Sequence, residues 1–243
     1  PGGSSLLAAA AAELRPGKRP AREGPEARAG REALAALRRL LPVALLLPCF
    51  WALFDQQGST WVLQARAMRL EVLPGWRLAP EALQVLNPVL VVLLVPLMTR
   101  FFEAWPRLFG GEPPPPLQRM AAGMVVAAGA FACSSALQRW VDVSAIASVS
   151  VLWQVPQLFL ITLAEVLVSV VALEYFYAQA PAGAKTAASA LALLATSVGN
   201  LFCGFLYQVL SPHLHTAQLL ILFSGLMLVN AAALLRLARG RTR

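Results

Sequence analysis

Three carboxylic acids lie inside long apolar segments of the sequence, where a charged side chain is not expected. They are Asp55, Glu165 and Glu174, and no apolar segment holds a centrally placed Arg or Lys as their partner. An ionised side chain at the centre of a bilayer costs at least about 2.5–3.5 kcal/mol. Acids that persist there must be neutralised by protons, by amines, or by basic residues from elsewhere. The chemistry that these residues could perform is the binding of protons or of a cationic ligand.

Glu165 is the best candidate for a central site, because it lies near the middle of its apolar segment. Glu174 follows nine residues later. At about 100° per residue this spacing puts Glu174 on the opposite face of a helix, about 13.5 Å further along the axis. We therefore predict that the two acids do not form a pair and that Glu174 is structural. A carboxyl group in a low-dielectric environment can take up and release a proton near neutral pH, as a proton-coupled carrier requires.

Asp55 belongs to a polar stretch, residues 55–60, within the first apolar segment, and Trp51 precedes it by four residues on the same helix face. Polar stretches inside a membrane span are tolerated beside protein or a watery cavity. The alternative interpretation is a polar helix end that only reaches the interface. Asn87 precedes Pro88, which removes a backbone hydrogen-bond donor from the helix. Asn87 is therefore either a site residue or one of the local side chains that stabilise a kink at Pro88. Asp55, Asn87 and Glu165 fall at one depth, which predicts one shared cavity.

The composition explains why these segments must be membrane spans. The chain has 243 residues, of which 58% are apolar and 13% charged, with a mean hydropathy of +0.64. A soluble domain is about 45–50% apolar and about 25% charged. We predict an all-α integral membrane protein, a bundle of six transmembrane helices, since a span needs about 20 apolar residues and lipid forbids open sheet edges. The predicted spans are residues 40–64, 82–99, 118–138, 147–177, 187–210 and 216–237.

The basic residues predict the orientation of these spans. The net charge is +8, but the Lys and Arg residues fall in loops and at chain ends, as the positive-inside rule describes, and not on one stripe as in nucleic-acid binders. With the first end taken as cytoplasmic, twelve basic residues flank the inner ends of the spans and four the outer ends. We predict a multi-pass protein of the cell membrane with both ends cytoplasmic, and no nucleic acid as partner.

Residues 1–39 are basic and rich in Pro, Gly and Ala, and we predict a largely disordered cytoplasmic segment there. The transmembrane domain is predicted over residues 40–238 and a short cytoplasmic tail over residues 239–243. The sequence begins abruptly at Pro1, which suggests a truncated sequence, and the alanine-leucine run from Leu6 to Leu14 is consistent with the stub of an earlier helix. The fourth span is long and contains Pro156, so we expect it to kink or tilt.

Other reactive residue types do not form a recognisable site. The three cysteines are far apart within apolar runs and are interpreted as packing residues. His213 and His215 lie in a short loop without a third ligand, so a solvated loop is favoured over a metal site. No phosphate-binding loop, nucleophile elbow or zinc-protease motif is present, so we predict neither an enzyme nor a metal site. Gly123 and Gly199 have the spacing to small residues that permits close helix packing.

Four segments of the chain resemble the proton-coupled oligopeptide transporter family of the major facilitator superfamily. They correspond to the seventh, eighth, tenth and eleventh helices of that family, and they read FWALFDQQGSTWVLQA (50–65), LQVLNPVLVVLLVP (83–96), LWQVPQLFLITLAEVLVSVVALEYFYAQAP (152–181) and LLATSVGN (193–200). Their order and spacing match over most of residues 40–237. The resemblance implies that this chain is the carboxy-terminal half of a major facilitator fold.

The resemblance also implies roles for particular residues. Glu165 would bind the terminal amino group of a peptide, Asn87 would help to hold the same end, and Trp51 would belong to the substrate pocket. Asp55 would form an outer gate with an arginine of the family's first helix and take part in proton coupling, together with Glu165. That arginine belongs to an amino-terminal six-helix half, which is the implied partner. The short loop between the third and fourth spans resembles bacterial members, which favours the bacterial inner membrane.

The function expected from this resemblance is proton-coupled symport of di- and tripeptides by alternating access, with protons as coupling ion and no cofactor. Two alternatives stay open at this point. The chain could be a truncated membrane subunit or fragment that does not transport. It could also keep the fold and carry another small solute, although Glu165 would repel an anion as sole substrate.

Overall fold

The computed structural model describes residues 25–241, and these residues form a bundle of apolar helices. The helices are α1 (Pro25–Ala44), α2 (Leu47–Phe54), α3 (Thr60–Arg66), α4 (Leu86–Phe109), α5 (Pro116–Val143), α6 (Val155–Glu165), α7 (Val171–Gln179), α8 (Lys185–Leu210) and α9 (Thr216–Arg241). Short 3₁₀ turns cover Asp55–Gly58, Ala82–Val85, Val151–Gln154 and Ala182–Ala184, and a π turn covers Val166–Val170.

Five helical segments are long and apolar enough to cross a membrane, and a sixth is obtained when a bent pair is counted as one span. Span one comprises α1 to α3, span two α4, span three α5, span four α6 and α7, span five α8, and span six α9. The predicted all-α six-helix membrane bundle is confirmed. Successive spans run in opposite directions, so the loops gather at two ends. We call the end that holds Lys185 the basic side and the other end the hairpin side.

One chain-end prediction is corrected by the structure. Helix α1 begins at Pro25, so residues 25–39 are helical and not disordered. The reason is that Ala33, Ala36, Leu40 and Val43 recur at helical spacing and are all buried, while the charged residues between them face outward. Helix α9 continues to Arg241. Residues 1–24, with the Leu6–Leu14 run, and residues 242–243 lie outside the described residues.

Span one is bent and interrupted. Residues 28–44 and 47–66 differ in direction by 48°. Pro42 lies inside α1 and Pro48 in the first turn of α2, and each removes a backbone donor that a continuous helix would use. Asn230 of α9 donates from Nδ2 to the carbonyl oxygen of Leu46 at 2.9 Å. This bond gives a buried carbonyl at the break a partner, as buried polar groups require.

Span four is irregular at a different place from the predicted one. Pro156 lies in the first turn of α6. Backbone N–H groups in a first turn have no carbonyl partner within the helix, so the proline breaks no helical hydrogen bond there. Of the two expected outcomes, a kink or a tilt of the span, a kink at Pro156 inside α6 is therefore not present. The departure from α geometry is instead the π turn, which begins directly after Glu165. Single π turns inside α-helices occur frequently at functional sites.

The hairpin side is closed by backbone hydrogen bonds between two loops. Strands β1 (Glu71–Leu73) and β2 (Trp76–Arg77) form a short antiparallel hairpin with Gly75 at φ +80° in its turn. The Arg69 N–H donates to the Val149 carbonyl at 2.7 Å, and the Val151 N–H donates to the Arg69 carbonyl at 3.0 Å. The loop after span one is thereby bonded to the loop before span four.

Four glutamines form a buried cluster near the hairpin side, which we call the glutamine cluster: Gln64, Gln138, Gln154 and Gln157. Gln64 is its hub. Its Nε2 donates to the Ser134 carbonyl at 3.0 Å and to Gln138 Oε1 at 3.1 Å. Its Oε1 accepts from Gln154 Nε2 at 3.0 Å and from Gln157 Nε2 at 3.1 Å. The cluster therefore joins α3, α5 and the start of span four.

Two glycines permit close approach between helices. A methyl group at Gly123 of α5 would lie 2.7 Å from Val168 Cγ2, beside the π turn. A methyl group at Gly199 of α8 would lie 2.5 Å from the Pro48 carbonyl oxygen and 2.9 Å from Trp51 Cβ. Both distances are shorter than a van der Waals contact, so only glycine fits. The predicted role of these glycines in helix packing agrees with the structure.

We predict that Gly199→Ala lowers the apparent Tm of the purified protein in detergent by several degrees. The added methyl group would overlap a backbone oxygen of α2, and overpacking of this kind costs about 1–3 kcal/mol. Thermal unfolding followed by size-exclusion chromatography measures the effect. Gly204→Ala on the same helix is the matched control, because no atom lies within 4 Å of its added methyl group. Equal Tm values for the two variants would contradict the prediction.

Candidate functional site

A polar cavity of about 400 Å³ lies where the 3₁₀ turn of span one faces the start of span two. Small-molecule sites typically have volumes of about 300–1,000 Å³. The cavity is lined by Asp55, Gln57, Gly58, Ser59, Gln84 and Asn87. Irregular backbone at membrane depth is tolerated where it lines a cavity, which is the position of the 3₁₀ turn here.

The 3₁₀ turn positions Asp55 by anchoring its neighbour. Gln56 is buried, and its Nε2 donates to Cys203 Sγ of α8 while its Oε1 accepts from the Thr60 hydroxyl. Asp55 is half-buried and faces the cavity. Asn200 of α8 lies near its carboxyl group. Residues 55–60 are not the end of the helical segment, because α3 continues it to Arg66.

Asn87 connects the cavity to Glu165. The Asn87 Nδ2 donates to Glu165 Oε2 at 2.9 Å and lies 3.1 Å from the Thr162 hydroxyl oxygen. That hydroxyl in turn donates to the Leu158 carbonyl at 2.8 Å. Asn87 thus reaches across from α4 to α6. Pro88 lies in the first turn of α4, so the alternative of a local kink stabilised by Asn87 is not what the structure shows.

The structure brings together three of the four residues singled out from the sequence. Asp55 and Asn87 line one cavity, and Glu165 contacts Asn87 at its edge. Trp51 lies apart from the cavity lining, one turn before Asp55 on α2. Its ring packs edge-on against Phe50 and Phe54, with centroid distances of 5.6 and 5.5 Å.

Glu174 does not join the site. It lies on α7 beyond the π turn and is exposed, whereas Glu165 is half-buried. The separation of the two acids expected from their spacing is therefore present in the structure.

Asn200 and Thr162 are site residues that the sequence analysis did not single out. Both are polar residues inside apolar helices, and this was the available indication for each. Thr162 is completely buried beside Asn87. Asn200 follows the tightly packed Gly199 and lies near Asp55. Gln84 also contributes, since its Nε2 donates to the Gln57 carbonyl at 3.3 Å and joins the two walls of the cavity.

The site is acidic and has no basic side chain of its own in the described part of the chain. The polar contacts of Asp55 and Glu165 are with amides, and no Lys or Arg between residues 25 and 241 pairs with either acid. The described residues also contain no group of three or more His, Cys, Asp or Glu residues that could hold a metal ion. An arrangement of two carboxyl groups around a polar cavity can bind protons or a cationic group.

Comparison with known proteins gives consistent matches. A family model described as the POT family matches residues 26–224. "Protein NRT1/ PTR FAMILY 8.3" of Arabidopsis thaliana is 33% identical over 181 residues, which is 70% of this chain and 31% of that protein. "Peptide transporter 3" of Caenorhabditis elegans is 47% identical over 107 residues, which is 42% of this chain and 14% of that protein.

Solved structures match over almost the whole chain. The crystal structure of an auto-inhibited POT family peptide transporter has 29% sequence identity and a TM-score of 0.77, and the match covers 98% of this chain and 45% of that one. A second crystal structure of a proton-dependent oligopeptide (POT) family transporter has 27% identity and a TM-score of 0.66, covering 95% of this chain and 47% of that one. The chain thus spans a third or less of the curated relatives named above and somewhat under half of the solved ones. The resemblance noted in the sequence is confirmed, and the chain belongs to the POT family, whose members are membrane transporters and not enzymes.

Proposed function

We propose that this chain is the carboxy-terminal half of a proton-coupled symporter of di- and tripeptides. The observation that carries the proposal is the carboxyl group of Glu165, held at 2.9 Å by Asn87 at the edge of a polar cavity without a basic side chain in the described residues. A peptide offers one ammonium group at its amino terminus, and a carboxylate with no cationic partner is complementary to it. The names of the nematode and crystallised relatives include peptide transport, which supports the same substrate class.

Each site residue then has a distinct role. Glu165 binds the terminal ammonium group, and Asn87 fixes the carboxylate through its amide while its own position is set by Thr162. Trp51, one turn before Asp55 and packed against Phe50 and Phe54, is proposed to add apolar surface to the substrate pocket. Asp55 serves as the gate acid, and Asp55 and Glu165 together take up the coupling protons. Protons and peptide bias the same equilibrium between two conformations, as alternating access requires.

The proposed mechanism needs a partner for the described residues. We propose an amino-terminal six-helix half that covers the cavity and supplies the basic residue opposite Asp55. Helix α4 supports this proposal, because its side chains Val92 and Leu93 are 73% and 61% exposed and its contacts with the rest of the bundle are few. The basic residues on the loops around Lys185 support an orientation with both ends in the cytoplasm, and we propose the bacterial inner membrane as the location.

The test of the proposed function is uptake into proteoliposomes that contain the full-length protein. We expect radiolabelled dialanine to accumulate when the outside is acidic, and to stop accumulating when an uncoupler collapses the pH gradient. With coupling to one proton, a gradient of one pH unit gives up to about tenfold accumulation. Entry of peptide down its own gradient, unaffected by the pH gradient, would contradict proton coupling. A protein that moves no peptide at all would leave the two alternatives, a chain that does not transport and a carrier of another small solute.

A different small solute is the second candidate, since one relative carries the name NRT1/PTR. The acidic cavity disfavours an anion, because Glu165 and Asp55 would repel it. Competition of unlabelled nitrate and unlabelled dialanine against labelled dialanine distinguishes the two. We expect dialanine to compete and nitrate not to compete.

We predict that Asp55→Asn uncouples transport without abolishing it. The variant should still exchange labelled for unlabelled dialanine across the membrane at equal pH, because Glu165 is intact. Its proton-driven accumulation ratio should fall from about ten to about one, because the asparagine side chain cannot carry a proton. Glu81→Gln, which changes an exposed acid on the same side of the bundle, is the control. An Asp55→Asn protein that accumulates peptide as well as the wild type would contradict the gate role.

A further inference from the structure

A second cavity, of about 470 Å³, lies at the basic side of the bundle. It is bordered by α1 of span one, the start of α5 in span three, α7 of span four and α9 of span six. It shares no described lining residue with the polar cavity that holds Asp55. Its volume is within the range typical of small-molecule sites, about 300–1,000 Å³. The cavity is therefore large enough for a ligand of its own.

One part of this cavity is apolar and preformed. Its buried lining consists of side chains that are each at most 8% exposed, namely Ala36, Leu40, Leu117 and Ala238. The wall beside them is made by Pro115 and Pro116, which have no N–H group and a fixed φ. Arg119 holds the chain next to this wall, because its Nε donates to the Pro114 carbonyl oxygen at 2.6 Å and its guanidinium carbon lies 4.2 Å from the centroid of the Phe102 ring. The apolar part of a ligand would meet a fixed surface here.

The other part of the cavity is polar and carries positive charge. Arg39, Tyr175 and Gln179 line it, and all three are at least partly exposed. Arg39 is charged, and none of the described lining residues is acidic. A guanidinium has five N–H donors, so Arg39 can bind ligand oxygens while it keeps its interactions within the protein. Because arginine and phosphate frequently form two parallel hydrogen bonds, this part of the cavity is complementary to a phosphate group.

The charges around the cavity favour the same ligand. Arg38, Arg236 and Arg239 are each within two residues of a lining residue in the sequence. The acid closest to a lining residue is Glu174, so positive charge predominates. Basic pockets between membrane spans on the cytoplasmic side bind the headgroups of anionic lipids. A phosphate group joined to an apolar body matches both parts of the cavity.

We propose that this cavity binds the phosphate headgroup of an anionic phospholipid. The phosphate is bound by Arg39, Tyr175 and Gln179, and the beginning of the acyl chains lies on the buried apolar surface. The ligand is a lipid and not a free phosphate ion, because an inorganic ion would leave that apolar surface without a partner. In the orientation proposed above, the lipid belongs to the inner leaflet. The assignment does not depend on which solute the protein carries.

The test is a lipid titration of the purified full-length protein in detergent, with the apparent Tm as readout. We expect phosphatidylglycerol to raise the Tm in a saturable way, as a ligand of the folded state does. Phosphatidylcholine with the same acyl chains has no net charge and should raise the Tm far less. Arg39→Gln should increase the half-saturating concentration of phosphatidylglycerol by about tenfold, the effect of losing a hydrogen bond to a charged group. Arg28→Gln, which changes an exposed arginine of the same helix outside the cavity lining, is the matched control and should not change it.

A second variant and a soluble ligand complete the test. Tyr175→Phe keeps the ring and removes one donor, so it should increase the half-saturating concentration by about threefold. Equal half-saturating concentrations in the wild type, Arg39→Gln and Tyr175→Phe would overturn the inference. An equal increase in Arg39→Gln and Arg28→Gln would also overturn it, since it would indicate attraction by surface charge alone. Glycerol phosphate has no acyl chains and should leave the Tm unchanged, whereas a shift equal to that of the lipid would assign the cavity to a soluble phosphate compound and overturn the lipid assignment.

Discussion

The Glu165→Gln variant of the full-length protein should lose dialanine uptake by a factor on the order of one hundred. Removing one partner of a desolvated, hydrogen-bonded charge pair typically costs about 2–5 kcal/mol, and about 1.4 kcal/mol corresponds to tenfold. Glutamine has the shape of glutamate, and its carbonyl oxygen can still accept from Asn87, which lies 2.9 Å from Glu165 Oε2. The substitution therefore removes the charge while the packing around α4 and α6 is kept.

The variant Glu174→Gln is the matched control for this prediction. Glu174 lies on the same span, but it is exposed and beyond the π turn, so its uptake should equal that of the wild type. A second readout separates charge recognition from folding. The wild type should prefer dialanine over its N-acetylated form, which lacks the ammonium group, and Glu165→Gln should lose this preference. Normal uptake with the preference intact in Glu165→Gln would refute the assigned role of Glu165.

The largest effect on stability is expected from Gln64→Leu. Gln64 is the hub of the glutamine cluster, and its side chain makes four hydrogen bonds to buried groups. Leucine has a similar size but cannot take part in any of them. Each buried polar group left without a partner costs about 1–3 kcal/mol. Because the amides of Gln154 and Gln157 and the carbonyl of Ser134 are affected together, the loss should exceed that of an ordinary substitution, which is about 1 kcal/mol.

Thermal unfolding in detergent checks this prediction, and Gln118→Leu is the control. Gln118 is exposed on α5, so its substitution removes an amide without leaving a buried group unpaired. We expect a clearly lower Tm and poor recovery of purified Gln64→Leu, with Gln118→Leu unchanged. A Gln64→Leu protein as stable as the wild type would mean that the cluster contributes little beyond what an apolar interior of the same shape would give.

The sequence predicts the membrane bundle and most of the site because two simple patterns carry that information. Long apolar runs define the spans, and polar residues inside them stand out at once. The shared depth of Asp55, Asn87 and Glu165 predicted that they lie close together. Asp55 and Asn87 line one cavity, and Glu165 is hydrogen-bonded to Asn87, although each residue lies on a different span. Depth along a span follows from counting residues at about 1.5 Å each. It depends on few details of packing.

Other features depend on contacts between distant residues and could not be predicted in this way. The break in span one is stabilised by Asn230, which lies 184 residues away from Leu46 in sequence. Trp51 Cβ faces Gly199 of α8, a helix about 150 residues later in the chain, and Trp51 lies outside the cavity lining. Helix α1 was missed because its buried face is built mainly from alanines within a strongly charged sequence.

The backbone bridge at Arg69 affects how the two acids can move. Span one carries Asp55 and span four carries Glu165, and their ends on the hairpin side are bonded both by this bridge and by Gln64. Because the bridge joins main-chain atoms, changes of side chain at Arg69 leave it in place, and only proline would remove the donor. Asp55 and Glu165 should consequently keep a constant separation while the protein changes conformation, so that their mutual repulsion stays fixed and only their distances to the opposite half vary.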